Sequence, residues 1–207
     1  MLYLFDEVES LGDDFTERKI PLLSDDRRAK INRLREKNGK KESVVAYLLL
    51  RLALLEVYGI STAVEFHHLD KGKPVLRDHP NIHFSLSHTR NAAACVVSDS
   101  VVGVDVQNIR AVTDRAARRV LTEAEYNEFI DALNPNEYFC EIWAIKESYM
   151  KMTGQGIAAA FKQLPAEDIK NKSFFRRKDY FCSVCGTIAE KIRVKYIGSE
   201  DFEQLRT

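Results

Sequence analysis

The chain has 207 residues, 45% apolar and 30% charged, with 31 basic residues against 31 acidic ones. That is the make-up of a globular protein with room for a sizeable core, in one large domain or two small halves. The balanced charge excludes the global field that advertises nucleic-acid binding, so any anion site must be a local patch. Met1–Glu7 lacks the basic start and cleavage pattern of a secretory signal. The most apolar run, Val44–Leu55, is interrupted by Arg51 and is too short to span a bilayer. The expected compartment is therefore the cytoplasm, with no membrane or nucleic-acid partner. Cys182 and Cys185 form a CxxC without the second pair that a zinc ribbon needs, and with Cys95 and Cys140 they read as inert thiols.

In chain order, Leu2–Phe5 reads as a strand. Ser24 ahead of Asp25 and Asp26 has the form of a helix N-cap with an acidic first turn. The predicted helix runs to about Lys37 and carries Arg27, Lys30, Arg33 and Lys37 on its face, with Lys40 and Lys41 beyond. Composition leaves open whether this is a solvated basic face or an anion patch. Ser43 predicts the start of a second helix, ended by Gly59 after Tyr58 and apolar nearly all round, hence a central core helix. Strand-like segments follow at Val64–His67, Pro74–Leu76, Ile82–Leu86, Ala92–Val97 and Val101–Val106. Gly72-Lys73-Pro74 reads as a turn, and Ser87-His88 as the end of a strand. Beyond Gln107 the pattern turns helical, with a capping box at Thr122–Glu125. A long helix over Pro135–Thr153 is closed by Gly154-Gln155-Gly156. Tyr180–Val184 and Ile188–Tyr196 read as strands, and the basic stretch Lys170–Lys178 as an exposed turn or edge.

Two stretches carry the chemistry. On the Pro135–Thr153 helix, Trp143, Glu147 and Lys151 are four apart and share a stripe, while Ile142, Ile145 and Tyr149 share one that can face a core. Alone, Glu147 and Lys151 are an ordinary i,i+4 ion pair. Asp105 is different: it stands among Val101, Val102, Val104 and Val106, where a carboxylate is costly to bury unless it is paired. Asp105 and Gln107 share one strand face. With a carboxylate from the helix they would make an incomplete hard-cation site, to be completed by water and phosphate oxygens.

The run Gly103–Gln107 (GVDVQ), followed by Trp143–Lys151 (WAIKESYMK), resembles the paired signature of the 4'-phosphopantetheinyl transferases, above all the surfactin-synthetase-activating (Sfp-like) type. Gly72-Lys73-Pro74 and Phe84–Thr89 (FSLSHT) are similar to two further family elements, in family order, and the resemblance covers roughly residues 24–156. It implies an α+β fold of two similar halves with a pseudo-twofold relation, residues 1–110 and 111–207, and an active site in the cleft between them. The implied reaction is Mg2+- or Mn2+-dependent transfer of 4'-phosphopantetheine from coenzyme A to a serine of an acyl or peptidyl carrier protein, with release of adenosine 3',5'-bisphosphate. Such carriers serve fatty acid, polyketide or nonribosomal peptide synthesis, and the implied enzyme is a monomer.

The resemblance also assigns residues. Arg27 and Lys30 would hold the 3'-phosphate of coenzyme A; the next family arginine falls near Lys41 or Glu42, with Lys41 as its substitute. Lys73, Pro74, Ser87, His88, Asp105 and Lys151 would contact the rest, His88 as a hydrogen-bond donor and not a base. Asp105, Gln107 and Glu147 would hold the metal, with Gln107 standing where many members have glutamate. Glu147 and Lys151 would be catalytic, Glu147 as proton acceptor and Lys151 in neutralising charge. Trp143 would pack, and Lys146 points roughly 100 degrees away from Glu147 around the helix. Glu125 is either the glutamate of the capping box or a substrate contact. Two other readings fit the same residues: a coenzyme A-cleaving hydrolase, and a coenzyme A- or carrier-binding module that has lost catalysis.

Overall fold

Apolar alternation at the amino end becomes strand β1 (Leu2–Phe5), all four residues buried, in a computed structural model that describes residues 1–155, 161–187 and 192–206. Helices α1 (Phe15–Lys19), α2 (Asp25–Arg33) and α3 (Lys37–Tyr58) follow, then strands β2 (Phe66–His68), β3 (Pro74–Leu76), β4 (His83–His88), β5 (Ala93–Ser98) and β6 (Val102–Asn108). The second half holds α4 (Asp114–Val120), α5 (Glu123–Asp131), α6 (Pro135–Thr153), β7 (Lys172–Arg177), β8 (Tyr180–Gly186) and β9 (Val194–Tyr196). The class is α+β, as expected.

Differences from the sequence reading lie at element ends. The basic helix stops at Arg33, because Leu34 is extended, and α3 begins at Lys37 instead of Ser43. Ser43 is thus inside α3, where its hydroxyl accepts from Arg27. Ser24 holds the N-cap position of α2, but its hydroxyl makes no capping bond. The first amides of α2 are met instead by the Glu65 carboxylate, which accepts from Asp25 N at 3.0 Å and Asp26 N at 3.4 Å. An acidic side chain at a helix N-terminus satisfies orphan donors whatever its place in the sequence. Lys170–Lys178 contains a full edge strand, β7. Of the expected strand Ile188–Tyr196, only Val194–Tyr196 forms β9, Ile192 and Arg193 lie ahead of it, and residues 188–191 and Gly156 lie outside the described residues.

Three sheets result: β4-β5-β1-β9, β6-β8-β7 and the hairpin β2-β3. Helix α3 packs on one face of the first sheet, with Tyr47, Leu48 and Leu52 in one core with Tyr3, Phe5, Cys95 and Val97. The opposite face presents Leu2, Leu4, Ala94 and Val96 to Val102, Val104, Val106, Cys182 and Val184 of the second sheet. Helix α6 covers the outer face of that second sheet. A long helix thus lies on each of the two larger sheets. Strands distant in sequence meet in both: β6 hydrogen-bonds to β8, and β9 returns to pair parallel with β1. Between β4 and β6, serine hydroxyls take the place of carbonyls, Ser85 Oγ accepting from Val104 N at 3.0 Å and Ser87 Oγ from Val106 N at 3.1 Å.

Candidate active site

Two elements meet closely at Gly103. A Cβ there would sit 2.0 Å from the carbonyl oxygen of Ser148 and 2.4 Å from the amide nitrogen of Met152. Absence of a side chain lets α6 rest its backbone on β6, and this sets Glu147 and Lys151 beside Asp105, two residues on from Gly103. The far end of α6 closes with Gly154 at φ 71°, against the aliphatic stem of Lys73. Lys73 Nζ donates to the carbonyl of Met152, which ties the β2–β3 hairpin to the end of α6.

Asp105 is 5% exposed. Its Oδ1 accepts from Ser87 Oγ at 2.8 Å and from Lys151 Nζ at 2.7 Å, while Lys151 also donates to Ser87 Oγ at 2.9 Å. Asp105 Oδ2 is buried and has no hydrogen-bond partner among the described residues. A buried carboxylate oxygen left so is costly unless a further cation or donor meets it. Glu147 is equally buried, and burial first, then the negative charge of Asp105, pushes its carboxyl up to about 7 against the opposing pull of Lys151.

A cleft of about 340 Å³ opens in front of these groups, lined by α2, α3, the β2–β3 hairpin, β4 and the last turns of α6. Glu147 and Lys151 line one part of it, and Arg27, Lys30, Lys73 and His88 other parts. Arg27 is buried and has no carboxylate partner among the described residues: Nη2 donates to Ser43 Oγ at 2.9 Å, and the guanidinium lies over the rings of Tyr47 and Phe66 at 5.5 and 5.6 Å. Burial pushes Arg27, Lys30 and Lys73 below their ordinary pKa values, and the Arg27 charge adds to this at Lys30. Crowded, partly desolvated cations are stabilised by an anionic ligand, so the cleft is built for one.

Of the residues expected from sequence, the structure brings Arg27, Lys30, Lys73, Pro74, His88, Glu147 and Lys151 to the cleft wall, with Ser87 and Asp105 hydrogen-bonded to Lys151. Lys41 is not among them: it is buried and donates to the carbonyl of Leu11 at 2.6 Å. Gln107 sits half-buried on β6, outside the residues that line the cleft. Glu125 completes the capping box with Thr122, and its second role is structural, an ion pair with Lys146 at 2.5 Å. Lys146 is fully buried and also donates to the carbonyls of Val120 at 3.1 Å and Phe161 at 2.9 Å, so all three of its protons are engaged. Trp143 packs between the rings of Phe139 and Phe161, at 5.8 and 5.5 Å.

Sequence reasoning missed Glu42, whose Oε2 lies 3.1 Å from His88 Nδ1, and the apolar wall made by Phe66, Phe84 and Met150. Alternation in the strand segments held the signal for the two phenylalanines; Glu42 was marked only as one of two places for a family arginine, and nothing local pointed to its contact with His88. The four cysteines are free and buried. Among the described residues no three of His, Cys, Asp and Glu gather as a metal-holding cluster. Two carboxylates with one orphaned buried oxygen nevertheless fit a hard cation that takes its other ligands from phosphate and water.

The model of the 4'-phosphopantetheinyl transferase superfamily matches residues 101–197. The chain is 28% identical over 157 residues to a 4'-phosphopantetheinyl transferase of Bacillus subtilis, covering 74% of this chain and 69% of that one. It is 25% identical over 151 residues to the 4'-phosphopantetheinyl transferase Sfp of Bacillus subtilis (72% and 67% covered). Against the 4'-phosphopantetheinyl transferase HetI of a Nostoc species, identity is 33% over 147 residues, covering 66% and 61%.

Proposed function

We propose that the chain is a member of the 4'-phosphopantetheinyl transferase superfamily that it resembles, and that its cleft transfers the phosphopantetheine arm of coenzyme A to a serine of a carrier protein. The observation that carries this reading is the meeting of Asp105 from β6 with Glu147 and Lys151 from α6, beside a cleft whose other polar wall is Arg27, Lys30, Lys73 and His88. One end suits a reacting pyrophosphate and the other a nucleotide phosphate.

In this mechanism Arg27 and Lys30 hold the adenosine 3'-phosphate, with His88 beside it, and Lys73 the neighbouring part of the nucleotide. Phe66, Phe84 and Met150 give the cleft an apolar wall that limits water. The carrier serine hydroxyl gives its proton to Glu147, directly or through one water; a carboxyl near 7 is matched to that task at neutral pH. The serine oxygen then bonds to the phosphorus bearing the pantetheine arm, and the bond from that phosphorus to the bridging oxygen breaks. Adenosine 3',5'-bisphosphate leaves with the electron pair. Lys151, held by Asp105 and Ser87, offsets the charge that develops on the departing oxygens. Asp105 and Glu147, with Gln107 on the same strand face as Asp105, would hold a Mg2+ or Mn2+ ion, which when bound supplies charge neutralisation and a template for the pyrophosphate.

No helix among the described residues is long and apolar enough to cross a membrane, and we place the enzyme in the cytoplasm, acting as a monomer on acyl or peptidyl carriers. The test is the intact mass of apo-carrier proteins of fatty acid, polyketide and peptide synthesis after incubation with coenzyme A and Mg2+, with a chelator control. A phosphopantetheine gain that disappears with the chelator supports the reading. Release of adenosine 3',5'-bisphosphate without any carrier would point to a hydrolase, and coenzyme A binding with no gain on any carrier to a binding module.

A further inference from the structure

We propose that Glu42 makes the basic end of the cleft accept a nucleotide with a free 3'-hydroxyl nearly as well as one with a 3'-phosphate, so that the 3'-dephospho form of coenzyme A is also a donor. The inference rests on the transferase reading and extends it to substrate choice. Its basis is the contact between Glu42 Oε2 and His88 Nδ1, 3.1 Å long. The Glu42 side chain is only 17% exposed and belongs to the same stretch of α3 as Ser43, the partner of Arg27. A carboxylate therefore sits against His88, one of the residues that line the basic end of the cleft.

Consider what His88 can offer. If the imidazole is neutral and gives its Nδ1 proton to Glu42, then Nε2 is a lone pair that accepts from a hydroxyl and repels a phosphate oxygen. If it is an imidazolium, Nε2–H donates to either ligand, but its charge is already offset by Glu42. In both states a ribose hydroxyl finds an acceptor in Nε2 or in the Glu42 carboxylate, and a dianion meets a like charge. Lys41, adjacent in sequence, does not redress the balance, because its ammonium is engaged with the Leu11 carbonyl. Arg27 and Lys30 remain as the attraction for phosphate, with Glu42 opposing it from behind His88.

The experiment measures kcat/KM for coenzyme A and for its 3'-dephospho form with one apo-carrier, in the wild type and in Glu42→Gln. The expected wild-type preference for the phosphorylated donor is at most about tenfold, and Glu42→Gln raises it by about tenfold more, through a lower KM for coenzyme A, since one like charge is removed. A generally damaged fold lowers both donors together and leaves their ratio in place. A wild-type preference on the order of a thousandfold, or a ratio that Glu42→Gln leaves within about twofold, overturns the proposal. If Glu42→Gln does not fold, the wild-type ratio alone decides. If neither nucleotide loads any carrier, the transferase reading falls, and calorimetric titration of the two nucleotides into the wild type and Glu42→Gln tests the same ratio for binding.

Discussion

Gly103→Ala is a change of one methyl group, and the structure makes it a large one. The new Cβ would stand 2.0 Å from Ser148 O and 2.4 Å from Met152 N, both backbone atoms of α6, so no side chain can rotate out of the way. To open even 3.0 Å, the helix must withdraw from β6 by about 1 Å. Overpacking of this kind costs about 1–3 kcal/mol or more, which for a chain of this size lowers Tm by roughly 3–10 °C. The same movement draws Lys151 Nζ away from Asp105 Oδ1, now 2.7 Å distant, and Glu147 with it. Catalytic groups tolerate displacements of about 0.5 Å, and a 1 Å error reduces turnover on the order of a hundredfold. Urea unfolding reads the first effect, and carrier loading, under conditions where the variant is folded, reads the second. Stability within about 0.5 kcal/mol of wild type together with turnover within about threefold would refute the argument that this glycine sets the helix on the strand.

Other changes separate chemistry from scaffold. Asp105→Ala should lower kcat strongly with the fold retained, since the Lys151 ammonium keeps Ser87 but loses its carboxylate; unchanged turnover would remove Asp105 from the site. Glu147 holds its proton in the folded protein up to about pH 7 but only to about 4.5 in the unfolded chain. The stability it contributes is thus present below 4.5 and lost as pH rises through 7, a fall of about 3 kcal/mol in all. Glu147→Gln should flatten that slope, so the variant gains on wild type at pH 8 relative to pH 5 in urea unfolding; parallel pH profiles would contradict the assignment. The same variant should lose the acid limb of the loading rate near pH 7 along with most of the rate. Lys146→Met leaves the Glu125 carboxylate buried without its cation and should destabilise by about 3–5 kcal/mol, with Glu125→Gln in the same chain restoring a good part. If the double variant is no better than the single, the ion pair is not what joins α5 to α6.

Local pattern carried the strands and the long helix because their signals are local. Asp105 was legible as a functional carboxylate because valines surround it, and α6 because its apolar positions recur at helical spacing. Buried cations were not legible. Lys41 reads as a phosphate ligand and Arg51 as a break in an apolar run, yet Lys41 donates to the Leu11 carbonyl and Arg51 to the carbonyls of Leu22, Ser61 and Arg206. Long side chains reach carbonyls that are distant in sequence, and only the folded chain shows which ones. The same holds for Glu65, which caps α2 from about forty residues away, and for Glu42, which looks like one more charge near the start of an apolar helix until His88 is placed opposite it. Gly103 belongs to this class too. Its motif was readable, but the reason for glycine is the approach of α6, a contact between elements.

The seam between the sheets explains why the chemistry sits where it does. Strand β6 uses one edge to pair with β8, and its other edge faces β4, where Ser85 and Ser87 accept the amides of Val104 and Val106 through their hydroxyls. A hydroxyl can accept from a backbone amide and still donate its own proton, which a carbonyl cannot. Ser87 uses that freedom to donate to Asp105 and to accept from Lys151 as well. The residue that joins β4 to β6 thus also orients the carboxylate and the ammonium of the site. Buried networks of this kind are rigid only when every member is satisfied. Among the described residues, Asp105 Oδ2 is the atom of this serine, carboxylate and ammonium network that is left without a partner. That open valence falls on an atom that the proposed chemistry needs free.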